Sequence, residues 1–161
     1  TDATNTVSLQ AGAKTSGFGK IAQIVQGSTT TATNIASTSF SDTGLSASIT
    51  PSSTSSKILV VVNQNVVTNI DTNLGNSKIQ LLRDSTTVIS WAENIARIEA
   101  GNQSAVKFGH LVTFNYLDSP STTSSVTYKT QGAVSSTSNN GQSQFQQSSV
   151  SSLITLMEVL D

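Results

Sequence analysis

From Val106 to Leu117 the chain alternates with a period of two. Val106, Phe108, His110, Val112, Phe114 and Tyr116 share one parity, while Lys107, Gly109, Thr113 and Asn115 dominate the other. This is the pattern of a half-buried strand, one face on a core and the other on water. An amphipathic helix needs apolar residues every three to four positions, and no long stretch here provides them.

The same signal recurs along the chain after Lys20, cut each time by turn formers. Ile21 to Gln26 is the first strand candidate. Ile35 to Phe40 is a weaker second, ending at Ser41, Asp42, Thr43 and Gly44. Leu45 to Thr50 places Leu45, Ala47 and Ile49 on one face and stops at Pro51, which cannot donate to a ladder. Lys57 to Thr68 is the strongest strand. Its run from Ile58 to Val62 is apolar on both parities, which predicts a central strand covered on both faces. Lys78 to Arg83 and Thr86 to Glu93 read as a hairpin around Asp84 and Ser85. Ile95 to Asn102 fits a strand or a helical turn. Val126 to Val134 follows, then a polar tip from Ser135 to Gln144 with a turn signal at Asn139, Asn140 and Gly141. Leu153 to Leu160 closes the chain. About eight or nine strands without a long helix predict an antiparallel β-sandwich, jelly-roll-like in size and strand count. Residues 1–19 are polar and aperiodic and read as an arm or linker. Residues 20–161 form the head domain, and a start at Thr1 points to a fragment or a processed form.

Composition removes much of the usual chemical vocabulary. The 161 residues include 28 Ser and 23 Thr, against 8 basic and 9 acidic side chains, with a formal net charge of −1. Scattered single Lys and Arg make no basic stripe for nucleic acid or for an anionic membrane. No apolar run is long enough to span a bilayer. The absence of Cys excludes disulfides and thiolate metal sites. Low net charge separates the chain from compositions that stay disordered.

Three segments carry a family likeness: DTGLSASITPSSTSSKILV at Asp42 to Val60, YLDSPSTTSSVTYKTQ at Tyr116 to Gln131, and SSLITLMEVL at Ser151 to Leu160. In this order they resemble a C-terminal domain recurrent in tail-fibre and other virion structural proteins of tailed bacteriophages, often marine ones. The likeness covers most of Lys20 to Leu160 and is weakest from Val66 to Gln103 and over 135–147. It implies a β-sandwich head, usually homotrimeric, on the virion. It also implies attachment to a host cell-surface polysaccharide or protein, or a capsid-decoration or fibre-assembly role alongside other virion proteins. It carries no catalytic or ligand signature onto this chain.

The individual residues point the same way. His110 is the only His, so one chain can form no His cluster; with Tyr116 and Tyr128 it is a candidate for core or inter-subunit packing. The many Ser make any Ser–His–Asp pairing uninformative without a nucleophile elbow. Glu93 and Glu99 near Trp91 are the best pair for sugar cleavage, although no spacing rule selects them. Asp71, Asn73 and Asn76 offer oxygens in a Gly-containing loop that departs from the EF-hand spacing. Trp91, Asn139, Asn140, Gln142 and Gln144 are candidate ligand or host contacts, since aromatic faces and amides suit glycans. A solvated hairpin tip is the plainer reading of the amides. The expectation is a non-enzymatic domain with no catalytic or metal residues and no cofactor.

Overall fold

The computed structural model describes residues 21–70, 74–99 and 106–160, with 74–75, 91–99 and 139 described at the level of the backbone. Ten strands run through them: β1 (Ile21–Thr29), β2 (Thr33–Ile35), β3 (Ser41–Ile49), β4 (Lys57–Ile70), β5 (Leu74–Arg83), β6 (Thr86–Glu99), β7 (Val106–Asp118), β8 (Val126–Val134), β9 (Gln142–Phe145) and β10 (Ser152–Val159). All pairings among them are antiparallel.

Eight strands make two four-stranded sheets. The first, here sheet A, has the order β1-β10-β4-β7; the second, sheet B, has β3-β8-β5-β6. The chain crosses between the sheets from β1 to β3, β3 to β4, β4 to β5, β6 to β7, β7 to β8 and β8 to β10. That order of two interlocked Greek keys is the jelly roll. The short pair β2 and β9 widens sheet A beside the far half of β4. There β9 pairs residues 66–69, while β10 pairs residues 57–63 of the same edge.

Strand β4 shows why the sandwich forms. Its inward residues Ile58, Val60, Val62, Gln64, Val66, Thr68 and Ile70 are each at most 1% exposed, while the intervening residues are half-buried. Ile58, Val60, Val62 and Val66 pack in one core with Leu45, Ile49, Ile79, Leu81, Val126 and Tyr128 from sheet B and Ile154, Leu156 and Phe145 from their own, while Ile70 packs separately with Val106. Each fully buried aliphatic or aromatic side chain contributes about 2 kcal/mol of transfer free energy. The expectation that β4 is covered twice is corrected in one respect: Leu59 and Val61, on the parity opposite the core, are only half-buried. An antiparallel sheet tolerates one solvated face, where a parallel one does not.

The hydroxyls are not confined to turns and outward faces. Thr43, Ser56, Thr68, Ser77, Thr130, Ser143 and Ser152 are buried. Thr43 Oγ1 lies 2.6 Å from Thr130 Oγ1 and accepts from Gln64 Nε2 at 2.8 Å. Gln146 joins them: its amide nitrogen donates to the Thr31 and Thr43 carbonyls, and its oxygen accepts from Ser152 and Gln64. A second chain links Thr68, Ser77 and Ser143 at 2.6 and 2.7 Å. Paired in this way, buried polar groups fix one register between the sheets at little cost.

Three local expectations change. The weak strand at Ile35 to Phe40 ends at Ile35, and its pairing lies upstream, at Thr33–Ile35. The turn expected at Ser41–Gly44 is the start of β3, bulged between Asp42 and Ser46, with Gly44 at φ +86° supplying the conformation the bulge needs. The polar tip contains a one-turn 3-10 helix, Ser138–Asn140, and the strand β9. The ambiguous stretch from Ile95 extends β6 as far as Glu99, and its last residues lie outside the described ones. So do residues 1–19, Asp71 and Asn73.

Candidate functional site

The outward face of sheet A falls into two halves. Near the start of β4 the register aligns Ile24, Met157, Leu59 and Leu117 in one row across four strands. Val61 and Leu153 stand in the next rows, and Val159 and Ile21 flank the first. Ile24 is 61%, Leu117 51% and Ile21 50% exposed, and Leu111, further along β7, is 61% exposed. Single exposed aliphatics are ordinary, whereas a row spanning a sheet marks a contact surface.

Toward the end of β4 the same face turns to amides. Asn65 and Asn69 alternate outward with buried neighbours, and β9 places Gln144 beside Val67 and Gln142 beside Asn69. Asn34 pairs with Gln144 from β2, and its Nδ2 donates to Gln142 Oε1 at 3.0 Å. Asn65 Oδ1, Asn69 Oδ1 and Gln144 Oε1 have no hydrogen-bond partner among the described residues. Lys107 pairs with Asn69 on the β7 side. The result is a neutral ladder of donors and acceptors bordered by one cation.

Sheet B presents a different outer face. Lys129 Nζ donates to Asp42 at 2.9 Å, Gln131 Nε2 to Asp42 at 2.7 Å, and Gln80 Nε2 to Gln131 at 2.8 Å. The bonds from Lys129 and Gln131 hold the Asp42 carboxyl below its usual range. A shallow hollow beside the β3 bulge is lined by Asp42, Gly44, Leu45, Ser46, Lys129 and Thr130.

The candidates named from sequence are partly brought together. Gln142 and Gln144 share the amide ladder, and Asn140 ends the turn that leads into it, at φ +56°. The side chains of Trp91, Glu93, Glu99 and Asn139 lie outside the described residues. Asn76, from the loop considered for a cation, belongs to β5. His110 is half-buried and stacks on Phe108, centroids 5.6 Å apart. Burial lowers its pKa, against an opposing backbone contact at Phe108. Tyr116 is half-buried against the core, and Tyr128 is fully buried within it. Among the described residues no three His, Cys, Asp or Glu form a metal cluster. No helix in them is long and apolar enough to cross a membrane.

Two acids outside the candidates named from sequence are structural anchors. Glu158 is buried at the end of β10 and accepts from the Ser52 backbone at 2.7 Å, Ser52 Oγ at 2.6 Å and Gln23 Nε2 at 2.7 Å. Burial alone would raise its pKa; the donors from Ser52, Gln23 and Ser56 prevail and hold it at about 2. Asp118 accepts from Arg83 at 2.5 Å and from the Tyr128 hydroxyl at 2.7 Å, which ties β7 to both β5 and β8. Burial, together with the Asp118 contact, pushes the Tyr128 phenol far above its usual range. The signal for both was the place of each acid at the end of an apolar strand. Glu158 joins β10 to the turn at Ser52, and Asp118 ends β7.

Comparison with known proteins adds little. No protein-family model matches the chain, and no curated protein matches it. Among solved structures, that of infectious bursal disease virus, Gt strain, aligns at 15% identity over 86% of this chain and 38% of that one, with a TM-score of 0.33. The chain thus spans well under half of that viral chain. So loose a likeness carries no argument, and the jelly roll stands on its own strand order.

Proposed function

We propose that this chain is a virion structural domain of the tail-fibre head type, which attaches to a host surface polysaccharide without catalysing any reaction. The observation that carries the reading is the amide ladder of Asn34, Asn65, Asn69, Gln142 and Gln144 on one outward sheet face. Amides both donate and accept, as sugar hydroxyls do, and the ladder carries no charge that would select against a neutral polymer. A flat neutral surface of this kind binds one sugar weakly, with a Kd on the order of 1 mM. Display of several copies on one particle multiplies that by about 100-fold or more. The family likeness at Asp42 to Val60, Tyr116 to Gln131 and Ser151 to Leu160 supports the virion setting.

The test is adsorption of host polysaccharide to multimerised domain, comparing the native chain with Asn69→Ala/Gln144→Ala. Loss of binding with unchanged thermal unfolding supports the reading. Equal binding by both proteins removes the ladder from it, and no binding by either, alongside a whole-virion positive control, removes the attachment role. Release of reducing sugar would replace it with hydrolysis.

A second reading, a capsid-decoration or fibre-assembly module without a ligand, is favoured by the row Ile24, Met157, Leu59 and Leu117. Co-purification with another virion protein, abolished by charge in that row, would select it.

A further inference from the structure

We infer that two copies of this chain join edge to edge through β7, as an antiparallel pair about a two-fold axis normal to sheet A. The argument starts from the sheet edges. An edge strand exposes unpaired backbone donors and acceptors, and folded proteins guard such edges with bulges, charges, proline or shortness. Strand β1 breaks register between Ile21 and Gln23, and β3 breaks it at the Gly44 bulge. Strand β6 shifts twice against β5, between Ser77 and Ile79 and between Leu81 and Leu82 of the partner. Strand β2 is three residues long.

Strand β7 has only one of these guards, a single charge near one end. Its 13 residues pair with β4 without interruption, from Ile58–Asp118 to Ile70–Val106. It holds no proline, and Asp118 is turned inward onto Arg83 and Tyr128. Lys107 is its one outward charge. No described strand pairs with its other side.

The occupant that fits is a second β7. Backbone ladders are self-complementary, and a two-fold interface needs a surface that matches itself. An axis normal to the sheet keeps the outward residues of both copies on one side. With Thr113 on the axis, Leu111 of each strand faces Asn115 of the other and Leu117 faces Gly109, so the aliphatics of both copies share one side of the seam. This overlap sets the two Lys107 residues roughly 40 Å apart, beyond effective repulsion in physiological salt. One edge pairing with itself is satisfied by two copies, so the arrangement replaces the three-fold assembly implied by the family likeness. It is independent of glycan binding, which uses the other half of the face.

The experiment is the solution mass of the full chain at micromolar concentration, with hydrogen exchange of β7. Two chain masses are expected, falling to one in Leu111→Lys/Asn115→Lys, with circular dichroism and thermal midpoint retained. Ser46→Lys, on the other sheet, keeps the two-chain mass. The chain has no Cys, so Thr113→Cys supplies a crosslink that only a second copy can complete. Loss of β7 amide protection on dilution completes the expected result. Three chain masses overturn the inference. So does one chain mass with β7 amides protected at every dilution, which would put the chain's own residues 1–20 on the edge. Two chain masses that survive Leu111→Lys/Asn115→Lys also overturn it, by placing the contact elsewhere.

Discussion

The outward faces of the two sheets rest on the same alternation of buried and exposed residues, yet they present opposite chemistry. On sheet B the outward positions of β3, β8 and β5 include Asp42, Ser46, Ser48, Thr127, Lys129, Gln131, Gln80 and Lys78. Asp42, Lys129, Gln131 and Gln80 satisfy one another across strands, and Ser48 does so with Thr127 at 2.8 Å. On sheet A the corresponding positions hold exposed aliphatics at one end and a ladder of amides at the other. A face of paired charges and hydroxyls needs only water. A row of exposed aliphatics leaves apolar area that a partner can cover. The pattern that forms a sheet therefore says nothing about what its second side is for; the residues at alternate positions decide it.

Charge placed on sheet A should break this contrast most sharply. Leu111→Asp/Leu117→Asp is expected to weaken self-association by roughly 100-fold, since an unpaired charge buried at the β7 contact costs about 3 kcal/mol or more. The same charge at Ser46 or Ser48 is expected to leave the mass of the particle unchanged. Sedimentation of the variants side by side checks both, and equal behaviour would erase the difference between the faces.

The next effect concerns the strut beneath both faces. Asp118→Ala leaves Arg83 and the buried Tyr128 hydroxyl without their acceptor and should cost about 3 kcal/mol in urea unfolding. The same strut sets an alkaline limit. The Tyr128 phenol has a folded pKa raised above its ordinary 10.0, so its contribution is complete below pH 10 and is lost as the pH climbs from there. Tyr128→Phe should remove that part of the alkaline decline.

A smaller loss, about 2 kcal/mol, is expected for Glu158→Gln, which weakens charge-assisted bonds that hold the Ser52 turn to β10. The sign is opposite to that of Tyr128. The folded pKa of about 2 lies below the ordinary 4.5, so the contribution is present above pH 4.5 and fades as the pH falls toward 2. Unfolding curves between these limits should flatten in the variant. Least of all, Asp42→Ala on sheet B should cost under about 0.5 kcal/mol, an effect that salt abolishes, because its partner Lys129 is solvated.

Much of the fold was legible because its strands are half-buried and antiparallel. Val106–Asp118, Lys57–Ile70 and Val126–Val134 show their inward parity directly, and Asp84 and Ser85 mark the one tight hairpin. What stayed hidden was whatever depends on neighbours distant in sequence. Asn65 and Asn69 look like interruptions in a strong strand until β9 sets Gln142 and Gln144 beside them. Glu158 looks like a terminal acid until the turn 106 residues earlier donates to it. Strand β2 is too short for any periodicity. The internal hydroxyls were concealed for a similar reason: Thr43, Thr130 and Gln146 read as turn or surface residues until the crossing of two sheets brings them together.

The position of β10 has a consequence for how the molecule comes into being. Sheet A has β10 between β1 and β4, so among the described strands β1 has no sheet neighbour until β10 has been made. Nearly all of residues 21–160 must be synthesised before that half can close, and the closing contacts are among the most distant in sequence, which slows the search for them. Throughout translation the nascent domain carries an open slot the width of one strand. Any piece of extended chain that fills it ahead of residues 152–159 would trap the domain half-built.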